Sequence, residues 1–371
     1  MNCWTYYSET IDRIYWTGDT IQDPVRRRVE DTLARRRELR SIVSASLVDP
    51  AALPEAHNTP RTILVRRGTP QDFGRCPGTH GHLCCNYLTF NVYVGCTLGC
   101  TYCIMQSYLR NRTLEVRLPH PAAVERVRAT AAQSPNRTVR VGTGEVGDSL
   151  LYDPLFGLSG DLIASLEDVE TIRFEMKTKT DAVDHLPPRH GGSGRTIVSF
   201  SLNPPAVIEA EEGAAATLEQ RLAAAHRAVD AGYGVAFHFD PMIRTESWRR
   251  DYLDVVARLA AFREAVPAWI SLGTLRYPPT LRPMIEARPY GVDEFVSTGD
   301  GKMRYLQKVR SEMYQTMRRD IQAILPDTPV YLCMESTAVW RRIQRVAPDR
   351  SGSLGAIMRP VTIATAPGGA L

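Results

Sequence analysis

The chain has 371 residues, 43% of them hydrophobic and 23% charged, with a net charge of +4. That composition belongs to a globular protein and excludes a disordered or fibrous one, and the charge is too small to mark a nucleic-acid binder by itself. No apolar run reaches the roughly 18 residues of a membrane helix. The start, Met1-Asn2-Cys3-Trp4-Thr5-Tyr6-Tyr7, has no basic segment leading into an apolar core, so no secretory signal is expected. A cytoplasmic protein with no membrane partner is expected, and there eight cysteines favour metal chemistry over disulfides.

Residues 1–85 read as an N-terminal helical extension. A helix is predicted over about 23–47, because Pro24 suits a first helical turn and few breakers follow. It carries Arg26, Arg27, Arg28, Arg35, Arg36, Arg37 and Arg40, a run that suits either a solvated face or the tracking of phosphates. A strand-like stretch at 61–65 follows. Residues 86–335 alternate between strand and helix patterns. The strands are expected at 89–95, 138–142, 171–176, 195–201, 234–239 and 268–273, and the helices at 121–132, 217–231 and 250–265. The helix at 217–231 runs into Gly232, a usual stop. Such alternation predicts a parallel α/β sheet buried on both faces, with function collected at the C-terminal ends of its strands. A helix at 303–325 and a strand at 329–333 would flank it. The tail, 336–371, is expected to be loose beyond Pro348.

Cys96, Cys100 and Cys103 stand in a C-x3-C-x2-C spacing after the apolar run 89–94. A short loop can place three such thiolates on three irons of one [4Fe–4S] cube and leave the fourth iron open. Part of a zinc knuckle, or a disulfide with a spare thiol, is the other reading, although no fourth Cys or His follows within the next turn. His238 and Asp240 alternate with Phe237 and Phe239 and so share a strand face, where they would bind substrate, move a proton or simply pair. Ser199, Ser201 and Asn203 form a polar stripe that needs partners if buried. Lys302, Arg304 and Tyr305, with Arg276, form either a phosphate-binding set or a solvated helix start. Cys76, Cys84, Cys85 and Cys333 are left over; they would hold a second metal site or pack as small hydrophobes.

The cysteine triplet, with Tyr102 before its last member, resembles the signature of the radical S-adenosylmethionine (SAM) enzymes. Further segments resemble the spore photoproduct lyase family within that superfamily: Cys76-Pro77-Gly78-Thr79 with Leu83-Cys84-Cys85-Asn86-Tyr87, Gly142-Thr143-Gly144-Glu145, Lys177-Thr178-Lys179, Ser199-Phe200-Ser201-Leu202-Asn203, Phe237-His238-Phe239-Asp240-Pro241, Asp300-Gly301-Lys302-Met303-Arg304-Tyr305 and Leu332-Cys333-Met334-Glu335. The resemblance implies a partial (β/α)6 barrel with an N-terminal helical extension and a C-terminal flanking helix and strand. It implies a [4Fe–4S] cluster on Cys96, Cys100 and Cys103 whose open iron binds SAM and splits it to a 5'-deoxyadenosyl radical. Tyr102, Gly144, Glu145, Lys179, Ser201 and Asn203 would contact SAM, with Glu145 facing its ammonium. An electron donor such as flavodoxin or ferredoxin would reduce the cluster.

Two departures stand out. The true lyase returns hydrogen from a cysteine after the second strand, near Glu145 here, and this chain has no cysteine between Cys103 and Cys333. It also carries a tyrosine after the last cluster cysteine, where this chain has Ile104. Cys333 is the expected replacement hydrogen donor. The expected function is hydrogen abstraction from a nucleotide-like substrate, followed by bond cleavage or rearrangement. The alternatives are a DNA-lesion lyase and a non-catalytic iron–sulfur sensor.

Overall fold

The computed structural model describes residues 3–47, 49–78, 81–109, 112–189, 194–292, 294–344, 352–358 and 361–364. The main sheet has eight strands. Following the chain, these are β4 (Phe73–Arg75), β5 (Leu88–Phe90), β7 (Val139–Gly142), β8 (Ile172–Thr178), β9 (Thr196–Ser201), β10 (Gly234–Met242), β11 (Ile270–Thr274) and β13 (Val330–Leu332). Their order across the sheet is β13-β11-β10-β9-β8-β7-β5-β4, and every neighbouring pair is parallel except the edge pair β4 and β5. The six expected strands therefore form its centre in sequence order. The flanking strand expected at 329–333 extends the same sheet as β13.

Helices cover the outer face. They include α3 (Pro121–Ala132), α4 (Leu158–Leu166), α5 (Leu218–Asp230), α6 (Trp248–Arg258) and α7 (Gln307–Ile324). A capping box starts α5: the Thr217 hydroxyl accepts from Gln220 N at 3.2 Å, and the Gln220 side chain accepts from Thr217 N at 2.8 Å. Residues 303–305, expected as the start of the last helix, are instead the strand β12 (Met303–Tyr305) in a small antiparallel sheet.

The N-terminal extension is more than helical. Its helices α1 (Cys3–Thr10) and α2 (Pro24–Arg35) lie with a sheet of β1 (Arg13–Thr17), β2 (Val43–Leu47), β3 (Thr62–Arg67) and β6 (Leu114–Leu118), all parallel in the order β2-β1-β3-β6. The helix expected over 23–47 thus ends at Arg35. Val43-Ser44-Ala45-Ser46-Leu47 pairs residue for residue with β1, because a β-branched and serine-rich stretch gains more from a ladder partner than from a helical turn. Part of the tail is also packed. The helix Gly352–Met358 and residues 361–364 press Leu354, Met358, Val361 and Ala364 into the core. The rest of the tail beyond Pro348 lies outside the described residues.

Strand pleating decides what enters the barrel. Register pairs Gly142 with Glu175, Lys177 with Ser199, Ser201 with His238, His238 with Ser271, and Ser271 with Tyr331. Residues opposite one another across a ladder share a face. One polar face, carrying Arg140, Glu175, Lys177, Ser199, Ser201, His238, Asp240 and Ser271, therefore looks inward. The alternate residues, such as Phe174, Met176, Val198 and Phe237, are buried against the helices.

Candidate active site

The cysteine loop follows β5, whose ladder ends at Phe90. Tyr93-Val94 then pairs antiparallel with β6, and Gly95 N bonds to Val146 O at 2.9 Å, which pins the loop beside the turn after β7. The far side of the loop is held by residues 211–214. Thr101 N bonds to Glu211 O at 2.9 Å, and Ala214 N to Leu98 O at 2.9 Å. Gly213, at φ +50°, lies so close that a Cβ there would sit 2.1 Å from the Leu98 carbonyl oxygen, so only glycine allows this approach. Cys96 is exposed, and Cys100 and Cys103 are half-buried; all three are free thiols.

This donor set fits an iron–sulfur cube. It offers three soft thiolates on one turn. Among the described residues no three His, Cys, Asp or Glu side chains converge on a single metal ion, and thiolates serving three different irons need not converge. Burial pushes the Cys100 thiol up to about 12, although Lys179 opposes this. Thiolates held there call for a multiply charged cation. Among the described residues Cys76, Cys84, Cys85 and Cys333 gather no single-ion site either.

Tyr102 is fixed from behind by a buried network. Its hydroxyl donates to Glu212 Oε1, which also accepts from Asn203 Nδ2 at 2.8 Å. Glu212 Oε2 pairs with Arg221 at 2.5 Å, and both side chains are fully buried. Burial alone would raise the Glu212 pKa; Arg221 and Lys179 outweigh it and hold the carboxyl below its ordinary range. Asn203 was expected to contact SAM. Its amide is instead committed to Glu212 and to Tyr252, whose hydroxyl donates to Asn203 Oδ1 at 2.7 Å. Asn203 leaves the sheet just after β9 ends, where the pleat no longer carries it inward. Glu211, Glu212, Arg221 and Tyr252 escaped sequence reasoning because their partners lie far away along the chain.

The other expected SAM-facing residues do gather. The Lys179 ammonium stands 5.9 Å from the centre of the Tyr102 ring. Its backbone N bonds Asp148 Oδ2 at 2.7 Å, and Asp148 also receives Thr178 Oγ1 at 2.8 Å and the amides of Leu150 and Leu151 at 3.0 Å. Asp148 thus ties the ends of β7 and β8 together. Gly144 is pressed on β8, where a Cβ would lie 2.8 Å from Lys177 Cβ and the Lys177 carbonyl. Burial raises the pKa of Glu145 beside it, although its neighbours Cys76, Thr89 and Lys177 oppose this. Ser201 is buried on the inner face, and Ser199 Oγ is buried there with no hydrogen-bond partner among the described residues. An orphaned hydroxyl of this kind fits a site that a polar ligand completes.

Deeper in the barrel, His238 is committed. Its Nε2 lies 2.7 Å from Glu175 Oε1 and its Nδ1 2.5 Å from Ser271 Oγ. Arg140 approaches Glu175 at 3.6 Å and stacks 4.0 Å from the centre of the Trp269 ring. Asp240 and Arg276 pair at 2.8 Å at the strand ends. Burial would raise the Asp240 pKa, but Arg276 and the Cys333 thiol overcome this and bring it from 3.8 to about 2. A carboxyl depressed when folded stabilises the fold fully above its unfolded value and loses that contribution as pH falls through its folded value. The stability gap between the parent protein and Asp240→Asn should therefore hold at about 2 kcal/mol above pH ~4 and close as pH falls toward ~2. Thermal melts across that range measure it.

Arg276 Nη2 also reaches the Cys333 sulfur at 3.7 Å. Burial and Asp240 raise the Cys333 pKa well above the ordinary thiol range, and burial and Glu145 push Cys76 up to about 12, so both keep their S–H at neutral pH. The phosphate set is corrected in part. Arg304 is buried and its fork is held by Asp300 at 2.7 Å and the Met334 carbonyl at 3.1 Å. Tyr305 is buried, stacks on Phe295 at 4.5 Å and accepts from Arg244 N at 3.0 Å. Both belong to β12, whose pairing turns them into the protein. Lys302 sits 3.6 Å from Asp300. Lys177, by contrast, projects from β8 into the barrel and forms no ion pair among the described residues.

The spore photoproduct lyase family model matches residues 85–332, which is well over half of the chain. The chain belongs to the spore photoproduct lyase family. Among curated relatives it is 30% identical over 176 residues to a spore photoproduct lyase of a Geobacillus species, covering 43% of this chain and 50% of that protein. It is 25% identical over 203 residues to one of Clostridium acetobutylicum, covering 53% and 57%. The chain thus spans about half the length of the curated relatives it matches. Solved structures share the fold. A spore photoproduct lyase complexed with dinucleoside spore photoproduct superposes with a TM-score of 0.71 at 20% identity, over 88% of this chain and 99% of the other. A double mutant with bound AdoMet and the same photoproduct gives 0.70 at 21%, over 88% and 99%. Membership places the chain in the radical SAM superfamily, with an α/β barrel whose sheet is open. No helix among the described residues is long and apolar enough to cross a membrane.

Proposed function

We propose that this protein is a radical SAM enzyme that takes a hydrogen atom from a nucleotide-like substrate and thereby drives bond cleavage or rearrangement. The observation that carries this reading is the convergence of the Cys96, Cys100 and Cys103 loop with Tyr102, Lys179 and Glu145 on one mouth of a polar-lined barrel. When bound, a cluster with one open iron supplies the electron that splits SAM into methionine and a 5'-deoxyadenosyl radical. The chain's residues do the rest by position. Cys96, Cys100 and Cys103 hold the cluster. Lys179 offers a cation to the SAM carboxylate, Glu145 an anion to its ammonium, and Tyr102 a rigid face to its adenosine. Lys177 and the Arg276–Asp240 pair line the path of an anionic substrate. Cys333 and Cys76, both protonated, stand on the inner face where a substrate radical would take back hydrogen.

Replacing Lys179 by Met should weaken SAM binding about tenfold to a hundredfold, the worth of one charge-assisted hydrogen bond. Isothermal titration measures it, and unchanged affinity would remove Lys179 from the site.

Repair of a pyrimidine lesion in DNA is the second reading, favoured by the photoproduct named in the solved relatives. Incubating the reduced, reconstituted protein with SAM and either dinucleoside spore photoproduct or single deoxynucleotides separates the two. In deuterated water, deuterium should enter the product from an exchangeable thiol, and Cys333→Ala should lower that incorporation several-fold.

A further inference from the structure

We infer that the arginine face formed by the end of α2 and the turn after it is the docking surface for an acidic one-electron donor protein. The inference rests on reading the Cys96 loop as a cluster site. Arg27, Arg35, Arg36, Arg37 and Arg40 are exposed. Arg26 and Arg28 are neutralised by Glu30 and Asp161, each at 2.8 Å. Arg27, Arg35, Arg37 and Arg40 form no ion pair among the described residues, and only Asp31 and Glu38 interrupt the patch. Four cations with no ion pair, beside an Arg36 that stacks on Trp4, leave a positive field aimed at solvent.

The place of the patch selects its partner. The Arg36 guanidinium lies 4.3 Å above the Trp4 ring on α1. Trp4 packs on Tyr7 at 5.7 Å, and Tyr7 on Tyr152 at 6.1 Å. The hydroxyls of Tyr152 and Tyr6 each lie 2.6 Å from Thr97 Oγ1, inside the cysteine loop. One short aromatic helix therefore separates the basic face from the cluster loop, on the side where Cys96 is exposed. The substrate candidates cluster at one end of the sheet: Asp240 lies on β10, Arg276 two residues past β11 and Cys333 just past β13. Tyr152 follows β7, separated from β11 by three strands. A polyanion drawn to this face would meet the cluster's flank rather than the barrel mouth, which suits an electron donor better than a nucleic acid. In the transfer, one electron leaves the reduced donor and enters the oxidised cluster, with no bond made or broken.

The test uses the full-length protein, an acidic flavodoxin as the probe, and the variant R35E/R37E/R40E. Binding of flavodoxin to the protein before cluster loading, measured by titration at low salt, should weaken about tenfold and lose its salt dependence. With the loaded protein, 5'-deoxyadenosine formation driven by flavodoxin hydroquinone should fall about tenfold, while the rate with dithionite, which needs no docking, changes less than twofold. Equal flavodoxin affinity in parent and variant overturns the proposal. So does a variant that loses binding to duplex DNA while its flavodoxin affinity and flavodoxin-driven rate are kept. If the parent forms no 5'-deoxyadenosine with dithionite, the cluster reading fails, and the titration before loading still decides the docking surface.

Discussion

Cys100→Ala should reduce bound iron and sulfide after anaerobic reconstitution to background and abolish 5'-deoxyadenosine formation. The reason is geometric. The loop from Cys96 to Cys103 is fixed at both ends, by Gly95 N to Val146 O on one side and by Ala214 N to Leu98 O and Thr101 N to Glu211 O on the other. A loop clamped this way cannot shift a neighbouring thiol into the empty place. Cys76 follows β4 beside Glu145, and Cys333 follows β13 beside Arg276, so neither lies on the clamped loop. Cys333→Ala, by contrast, should leave iron content unchanged and affect only hydrogen return. Iron and sulfide analysis of the two variants separates cluster ligation from hydrogen donation. Retention of a full cluster by Cys100→Ala would exclude that residue as a ligand.

Glu212→Ala should be the most destabilising single substitution near the site. It removes the one carboxylate paired with Arg221 among the described residues; the Arg221 side chain is fully buried and otherwise reaches the Ser201 and Ala216 carbonyls at 2.8 Å. Breaking a buried ion pair by removing one partner costs about 3–5 kcal/mol, because the remaining charge cannot reach water. The hydroxyl of Tyr102 and the amide of Asn203 lose their acceptor in the same step. The melting temperature should fall by about 4–6 °C, and SAM affinity should fall with it as Tyr102 loosens. Glu219→Ala removes the partner of Arg258 on the surface and should leave the melt unchanged. Calorimetry on the two variants tests the contrast. A Glu212→Ala protein as stable as its parent would mean that Arg221 finds another anion.

The central sheet was legible because each expected strand is a short apolar run between helical segments, and periodicity reports burial. The cysteine triplet was legible because its ligands are adjacent in the chain. What sequence could not give was pairing across distance. Residues 43–47 became a strand only because β1 was there to pair with it, and 303–305 because residues 295–297 and 276–277 were. Arg304 looked like a phosphate fork until Asp300 and the Met334 carbonyl claimed it. Asn203 looked like a ligand contact until Glu212 and Tyr252 took both ends of its amide. Glu212 carried no local signal at all: an acidic pair before a glycine reads as a turn, and its role appears only when Tyr102, Asn203 and Arg221 meet around it.

The most direct test is to reconstitute the wild-type chain anaerobically, reduce it with dithionite, add SAM and quantify 5'-deoxyadenosine and methionine together. Formation of both in equal amounts, dependent on Cys100 and raised by a nucleotide or dinucleoside substrate, is the result expected. A fully loaded cluster that leaves SAM intact under every substrate would contradict the assignment of a radical SAM reaction to this site.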